Sequence, residues 1–350
     1  MQNFTGGRGN LFYEWMEVRA SMVLQVGLFI RDHMKLQTTK LLAWIFQGDE
    51  VGSKAMSIFK NFRNRKASPA KTVDHTRGKV DADDSHNKQN SMPGADSPIV
   101  LELDQATVEL AGQTILQKVS LKVARGETLV IIGPSGGGKT VLLKTLAGLF
   151  TPNSGQALCM GIPWKNRDQV SKHQLASKIG MQFQRSALFD ELTAYENIEF
   201  VLKEHTQLDA SARETRILDC LRAVGLEKYR DYREHQLSGG MKQRVGIARS
   251  IAVEPEILFM DDPTAGLDPI NADDMAKLVI GLKRRIGATL VIVTHDISRA
   301  FQFAEENGRI VLVAQKAVRE TGTAEETRFS TDPLVQQFIH GMQKGPLIPE

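Results

Sequence analysis

The sequence predicts an α/β fold built on a parallel sheet, and three observations carry that reading. Short apolar, β-branched runs at Thr128 to Ile132, Ile257 to Met260, Thr289 to Val293 and Arg309 to Ala314 have the pattern of strands buried on both faces. Helical stretches alternate with them at Val141 to Gly148, Ala272 to Arg285 and Ile297 to Glu306. The first of these strands runs into Gly133-Pro134-Ser135-Gly136-Gly137-Gly138-Lys139-Thr140, a full match to G-x-x-x-x-G-K-[ST] placed between strand and helix.

That loop dictates a chemistry. Glycines lack a Cβ, so the backbone can turn tightly and present N–H donors to a polyphosphate at the positive end of the following helix. Lys139 then neutralises the terminal phosphates, and the Thr140 hydroxyl is placed for Mg²⁺.

The chain as a whole sets limits. Its 350 residues, 41% of them hydrophobic, are ample for a real core. A net charge of +3 argues against a dedicated nucleic-acid binder, which shows a basic face. Only Cys159 and Cys220 are present, too few for a disulfide framework or a metal cluster, which fits a reducing compartment. The longest uncharged apolar stretch, Ala20 to Ile30, is about half the roughly 20 residues that span a bilayer. Glu14, Glu17 and Arg19 interrupt what would be the apolar centre of a signal peptide.

Four segments are expected. Residues 1–66 read as amphipathic helix: Phe12, Trp15, Met16, Met22, Val23, Val26, Phe29, Ile30 and Met34 recur at steps of three and four, and ten Lys/Arg stand against five Asp/Glu. Trp and Phe beside basic residues suit a helix on a membrane surface or docked on a membrane partner, and an ordinary helical pair packed on the main domain has the same pattern. Residues 67–97 are polar and read as a disordered tether. A globular domain follows over 98–325, then a tail over 326–350.

Within the globular domain, Ile99 to Leu103 and Ile115 to Val123 are strand-like, with Gly112 and Gly126 as turns, and Lys178 to Phe183 is a further short strand. Thr193-Ala194-Tyr195-Glu196 is a capping box opening a helix, and Asp209 caps the run Ser211 to Val224. These two form a helical insertion in the middle of the parallel sheet.

Two further stretches complete a candidate site. The run Ile257 to Met260 ends in Asp261-Asp262-Pro263, a buried strand delivering carboxylates at its tip, Asp261 for Mg²⁺ and Asp262 to orient or deprotonate an attacking water. Leu237-Ser238-Gly239-Gly240-Met241 opens another helix, with the Ser238 hydroxyl and the N–H groups of Gly239 and Gly240 as anion donors.

With that stretch the chain resembles the ABC transporter ATPases, whose signature motif is Leu-Ser-Gly-Gly-(Gln/Met). The other family landmarks fall in order: Gln184 at a strand end, Ala265-Gly266-Leu267-Asp268 for the D-loop, and His295 after the strand Thr289 to Val293. The resemblance covers about residues 98 to 325. It implies a P-loop NTPase fold, the ABC-type nucleotide-binding domain, with a parallel core sheet, an antiparallel β subdomain and a helical subdomain. It also implies ATP and Mg²⁺ as ligands, with Thr140, Gln184 and Asp261 around the metal and Asp262, His295 and Gln184 in catalysis. Ser238, Gly239 and Gly240 would close over ATP held by a second chain, with Asp268 at the dimer contact.

A narrower resemblance lies in residues 183–193, Glu196-Asn197, Leu237-Ser238-Gly239-Gly240-Met241 and the tail Asp332-Pro333-Leu334-Val335-Gln336-Gln337-Phe338-Ile339-His340-Gly341 before Gly345-Pro346. These segments look like the Mla and Mce-associated ATPases, which drive phospholipid movement between bacterial membranes. They imply a homodimer, a separate membrane permease, Mce-type lipid-binding proteins as partners, and a peripheral position on the cytoplasmic face of the bacterial inner membrane. The tail reads as a plain C-terminal helix or as one docked on the dimer partner. An ATP-gated adaptor with little hydrolysis and a non-transport ABC ATPase are the competing functions.

Three departures from the family pattern stand out. Asp262 takes the place of the usual Glu, which draws its carboxylate back by about one bond length, roughly 1.5 Å, and implies slow hydrolysis. No Phe, Tyr or Trp lies in Val108 to Gly112 to stack on adenine. Residues 1–97 have no counterpart in the usual ATPase subunit.

Overall fold

The structure, a computed structural model, describes residues 97–165, 175–184, 186–305 and 308–347. The expected amphipathic segment 1–66 and nearly all of the tether at 67–97 lie outside the described residues.

Chain order is β1 (Ile99–Leu110), β2 (Gln113–Ala124), β3 (Thr128–Ile132), α1 (Lys139–Leu146), β4 (Ser154–Cys159), β5 (Ile162–Pro163) and β6 (Ile179–Gln182). There follow α2 (Ala194–His205), α3 (Ala210–Ala223), α4 (Gly239–Ile251), β7 (Ile257–Asp261), α5 (Pro269–Ile286), β8 (Thr289–Val293) and α6 (Ile297–Ala304). The chain ends in the hairpin β9 (Gly308–Ala314) and β10 (Ala317–Gly322), then α7 (Ala324–Arg328) and α8 (Pro333–His340).

Two sheets form. One is six-stranded, in the order β10-β9-β3-β8-β7-β6, with β9, β3, β8, β7 and β6 parallel and β10 antiparallel at one edge. The other is antiparallel, in the order β2-β1-β4-β5. The main-chain N–H of Gln117 in β2 donates to the carbonyl of Lys316 at the β9–β10 turn (2.8 Å), tying one sheet to the other.

β3, β7 and β8 are buried at every position, as their unbroken apolar runs require. Their side chains divide by parity: Val130 and Ile132 join a core with α2 to α6, while Leu129 and Ile131 join one with α1, β1 and β2. The helical insertion is built as its caps predict. Thr193 and Glu196 form a reciprocal capping box on α2, and Asp209 caps α3. Sequence reasoning had no signal for β4, half of whose residues are exposed, or for β10, none of whose residues is buried. The tail helix α8 is capped by Asp332 and stopped by Gly341 in left-handed backbone. Among the described residues no helix is long and apolar enough to cross a membrane.

Candidate functional site

Three neighbouring parallel strands, β3, β8 and β7, end at one edge of the sheet and deliver most of the predicted groups there. β3 enters the loop through Gly133, whose φ is +147°. A Cβ there would lie 2.2 Å from the carbonyl oxygen of Val313 in β9, so only glycine lets the loop pass its neighbouring strand. α1 starts after Gly138, also in left-handed backbone, with no side-chain cap and no acidic residue in its first turn. Its leading N–H groups face outward without a side-chain acceptor, the arrangement that receives an anion.

Lys139 is buried, and its Nζ donates to the carbonyls of Gly133 and Pro134, each at 2.8 Å. Burial pulls its ammonium down to about pKa 8, against the opposing pull of Asp262 and Asp261. Thr140 Oγ1 donates to Asp261 Oδ1 at 3.2 Å.

Both carboxylates at the end of β7 are buried. Burial raises Asp261 above the ordinary carboxylate range. Burial, with the neighbouring Asp261 charge, pushes Asp262 up to about 6. Asp262 sits in left-handed backbone at φ +48°, its N–H donating to Val293 O of β8 (2.9 Å) and its carboxylate accepting from Thr264 Oγ1 (3.5 Å). Asp tolerates that conformation better than most residues because its short polar side chain bonds locally. His295 is exposed at the end of β8, and desolvation together with the Lys139 charge holds its imidazole below the ordinary value.

The structure therefore brings Gly133 to Thr140, Asp261, Asp262 and His295 to one place. Other predicted residues stand elsewhere. Ser238 caps α4, accepting from Met241 N at 3.3 Å, and Asp268 caps α5, accepting from Ile270 N and Asn271 N at 3.1 Å each. Neither bonds to the loop cluster among the described residues. Gly239 has open space where a Cβ would go, and at Gly240 a Cβ would meet only Leu267, at 3.5 Å. Neither glycine is required by this chain's own packing. Gln184 is exposed, and its carbonyl, not its side chain, carries the contact that positions it. Thr264 was missed in the sequence; its signal is a hydroxyl two residues past a buried acid.

A loop of this form between a buried strand and a helix, with carboxylates on the tip of a parallel strand, defines a P-loop nucleoside-triphosphatase. Among known proteins, the family profile for the ABC transporter matches residues 116–265. The intermembrane phospholipid transport system ATP-binding protein MlaF of Escherichia coli K12 is 33% identical over 250 residues, 71% of this chain and 91% of MlaF. The chain belongs to the ABC transporter ATP-binding family, and it is an ABC-type ATPase. The probable ribonucleotide transport ATP-binding protein mkl of Mycobacterium tuberculosis H37Rv is 32% identical over 257 residues, 73% of this chain and 71% of mkl. A solved dimer of the ATP-binding cassette MJ0796, in a post-hydrolysis state bound to ADP and Pi, is 32% identical with a TM-score of 0.58, covering 63% of this chain and 98% of that one.

Proposed function

We propose that this chain is the ATP-binding subunit of a phospholipid transporter whose membrane channel is a separate permease. The observation that carries the two-chain part is the pair Gly239 and Gly240. Small residues that packing does not require, next to the free face of a serine-capped helix, leave room for a nucleotide held by a second copy. The phospholipid part rests on likeness to MlaF across 91% of that protein. The ribonucleotide named for mkl is the second reading, since its similarity is nearly as great.

In this mechanism the loop N–H groups and Lys139 hold the phosphates. Asp262 takes the proton of the attacking water, His295 contacts the terminal phosphate, and Ser238, Gly239 and Gly240 of the other copy complete the enclosure. Thr140 and Asp261 offer two adjacent oxygens, which suits Mg²⁺, an ion that takes few protein oxygens and fills the rest with phosphates and water; the family resemblance adds Gln184 as a third ligand, and that chain segment would have to bring it there. When bound, the ion neutralises charge developing on the transferred phosphoryl group.

The rest of the reading follows the same line. Residues 1–66 dock on the membrane or on the permease, 67–97 tether them, 98–325 form the ATPase, and the tail over 326–350 docks on the second copy. The chain then works on the cytoplasmic face of a bacterial inner membrane, with Mce-type lipid-binding proteins in the same assembly. The test is a mild-detergent extraction with the tagged full chain. Recovery with a polytopic membrane protein and phospholipid is expected; recovery with bound ribonucleotide cargo, or with no membrane protein, overturns the phospholipid reading. Loss of liposome flotation after deletion of residues 1–66 is the expected result for membrane docking, and unchanged flotation overturns it.

A further inference from the structure

The helix that begins at the signature stretch is fastened along its length to the segment around Gln184. Gln243 of α4 is buried, and its Nε2 donates to the carbonyl of Gln184 at 2.7 Å. Its Oε1 accepts from Gln182 Nε2 at 2.6 Å, and that same Nε2 also donates to Phe183 O at 2.7 Å. Gln182 is fully buried at the end of β6, with its own Oε1 unpartnered. Leaving an acceptor unsatisfied in a core costs stability, so this side chain is not explained by packing. Its amide gives Gln243 a bond on the acceptor side, separate from the one that Gln243 donates to the Gln184 carbonyl.

One turn further along α4, Gly246 packs against Ser186, where an added Cβ would make an ordinary contact at 3.4 Å with Ser186 Cβ. A further turn along the same ridge, Arg249 is buried, and its guanidinium donates to Ser186 O (2.8 Å) and Ala187 O (2.7 Å) with its charge centre 5.9 Å from the Phe189 ring. Ser186 and Ala187 both hold left-handed backbone, at φ 59° and 43°, which non-glycine residues keep only when their surroundings impose it. Residues 243, 246 and 249 thus grip 184, 186 and 187 through main-chain oxygens and close packing.

We infer that Gln243 is a positioning residue that couples the signature end of α4 to Gln184, so that engagement of Ser238 by the other copy's nucleotide is transmitted to the metal-side loop of this chain's own site. The inference rests on the two-chain reading above. Ser238 is the cap of the helix that carries Gln243, and that helix holds the loop through one hydrogen bond from Gln243 and two from Arg249. Each nucleotide in the pair then reports on the other through one amide.

The experiment is amide hydrogen exchange on the full chain with Mg²⁺ and a non-hydrolysable ATP analogue. In the wild type, exchange slows both at residues 238–241 and at 183–189. Gln243→Met removes the donor while keeping the volume; it retains slowing at 238–241 and loses it at 183–189. Gln182→Met leaves the Gln243 to Gln184 bond in place and retains both. If Gln243→Met does not fold, Gln243→Leu, which likewise carries no donor for Gln184, gives the same result. Slowing at 183–189 that survives removal of the donor, or is absent from the wild type, overturns the coupling. So does an equal loss in Gln182→Met, which marks a general core disturbance. Absence of slowing at 238–241 in the wild type overturns the two-chain reading and the coupling with it.

Discussion

Thr140 Oγ1 and Asp261 Oδ1 stand 3.2 Å apart, joining the first turn of α1 to the tip of β7 across 121 residues of chain. This contact fixes the loop that grips phosphate against the strand that carries the acids. Asp262, one residue on, inherits its position from both.

Substitution of Asp262 separates position from chemistry. Asp262→Glu extends the carboxylate by about 1.5 Å and is expected to raise kcat, because a misplacement of about 1 Å costs on the order of a hundredfold. Asp262→Asn is expected to lower kcat about a hundredfold or more. Steady-state turnover of the three proteins decides it: an Asn variant as active as the wild type removes Asp262 from catalysis.

The same acid sets a pH dependence. Asp262 takes a proton only when ionised, and its pKa of about 6 puts the acid limb of kcat/KM there. Lys139 attracts phosphate only when charged, and its pKa of about 8 puts the alkaline limb there. A bell between these values is expected for kcat/KM with MgATP from pH 5 to 9.5, and a flat acid side excludes Asp262 as the base.

Stability is expected to oppose activity at this position. The folded protein holds Asp262 above its ordinary 3.8, so the protonated form is favoured in the fold and stability falls as pH rises from about 4 through about 6. At neutral pH the buried charge costs up to about 3 kcal/mol, which Asp262→Asn relieves. Thermal unfolding should show the Asn variant more stable than wild type at pH 7.5 and no more stable at pH 4.

Two glycines predict opposite outcomes. Gly133→Ala drives a Cβ into Val313 O at 2.2 Å and is expected to destabilise the fold by at least about 2 kcal/mol. Gly239→Ala meets nothing within 4 Å and should leave unfolding unchanged or raise Tm slightly, while it weakens ATP-dependent dimerisation. Unfolding and light scattering with MgATP read the two effects separately.

Base selectivity is expected to be low. With no aromatic residue in Val108 to Gly112, a stack worth about 0.5–1.5 kcal/mol is missing, and kcat/KM for GTP should lie within about tenfold of that for ATP. A much larger preference for ATP means that another group reads the base.

The sequence made the buried strands plain because β3, β7 and β8 each carry four consecutive apolar residues. Caps were equally legible at Thr193 and Asp209, where a local side chain satisfies a local N–H; the cap at Ser238 was not, because that serine reads as an anion donor. β4 and β10 were not, since their residues alternate with solvent or stay half-exposed and derive their order from pairing with distant strands. At the site, the loop and the two acids could be read from spacing. The hold of Gln243 on Gln184 could not, because it joins residues 59 apart through a main-chain oxygen, and no residue type marks a carbonyl as special.

Lys139 spends its hydrogen bonds on the carbonyls of Gly133 and Pro134. An arriving phosphate can take the third N–H of the amine, and gains more of it only in competition with two well-placed backbone oxygens. A single small anion engages few of the N–H groups of the loop, whereas a triphosphate engages them along its length. The resting loop is therefore expected to bind a polyphosphate more tightly than a single small anion.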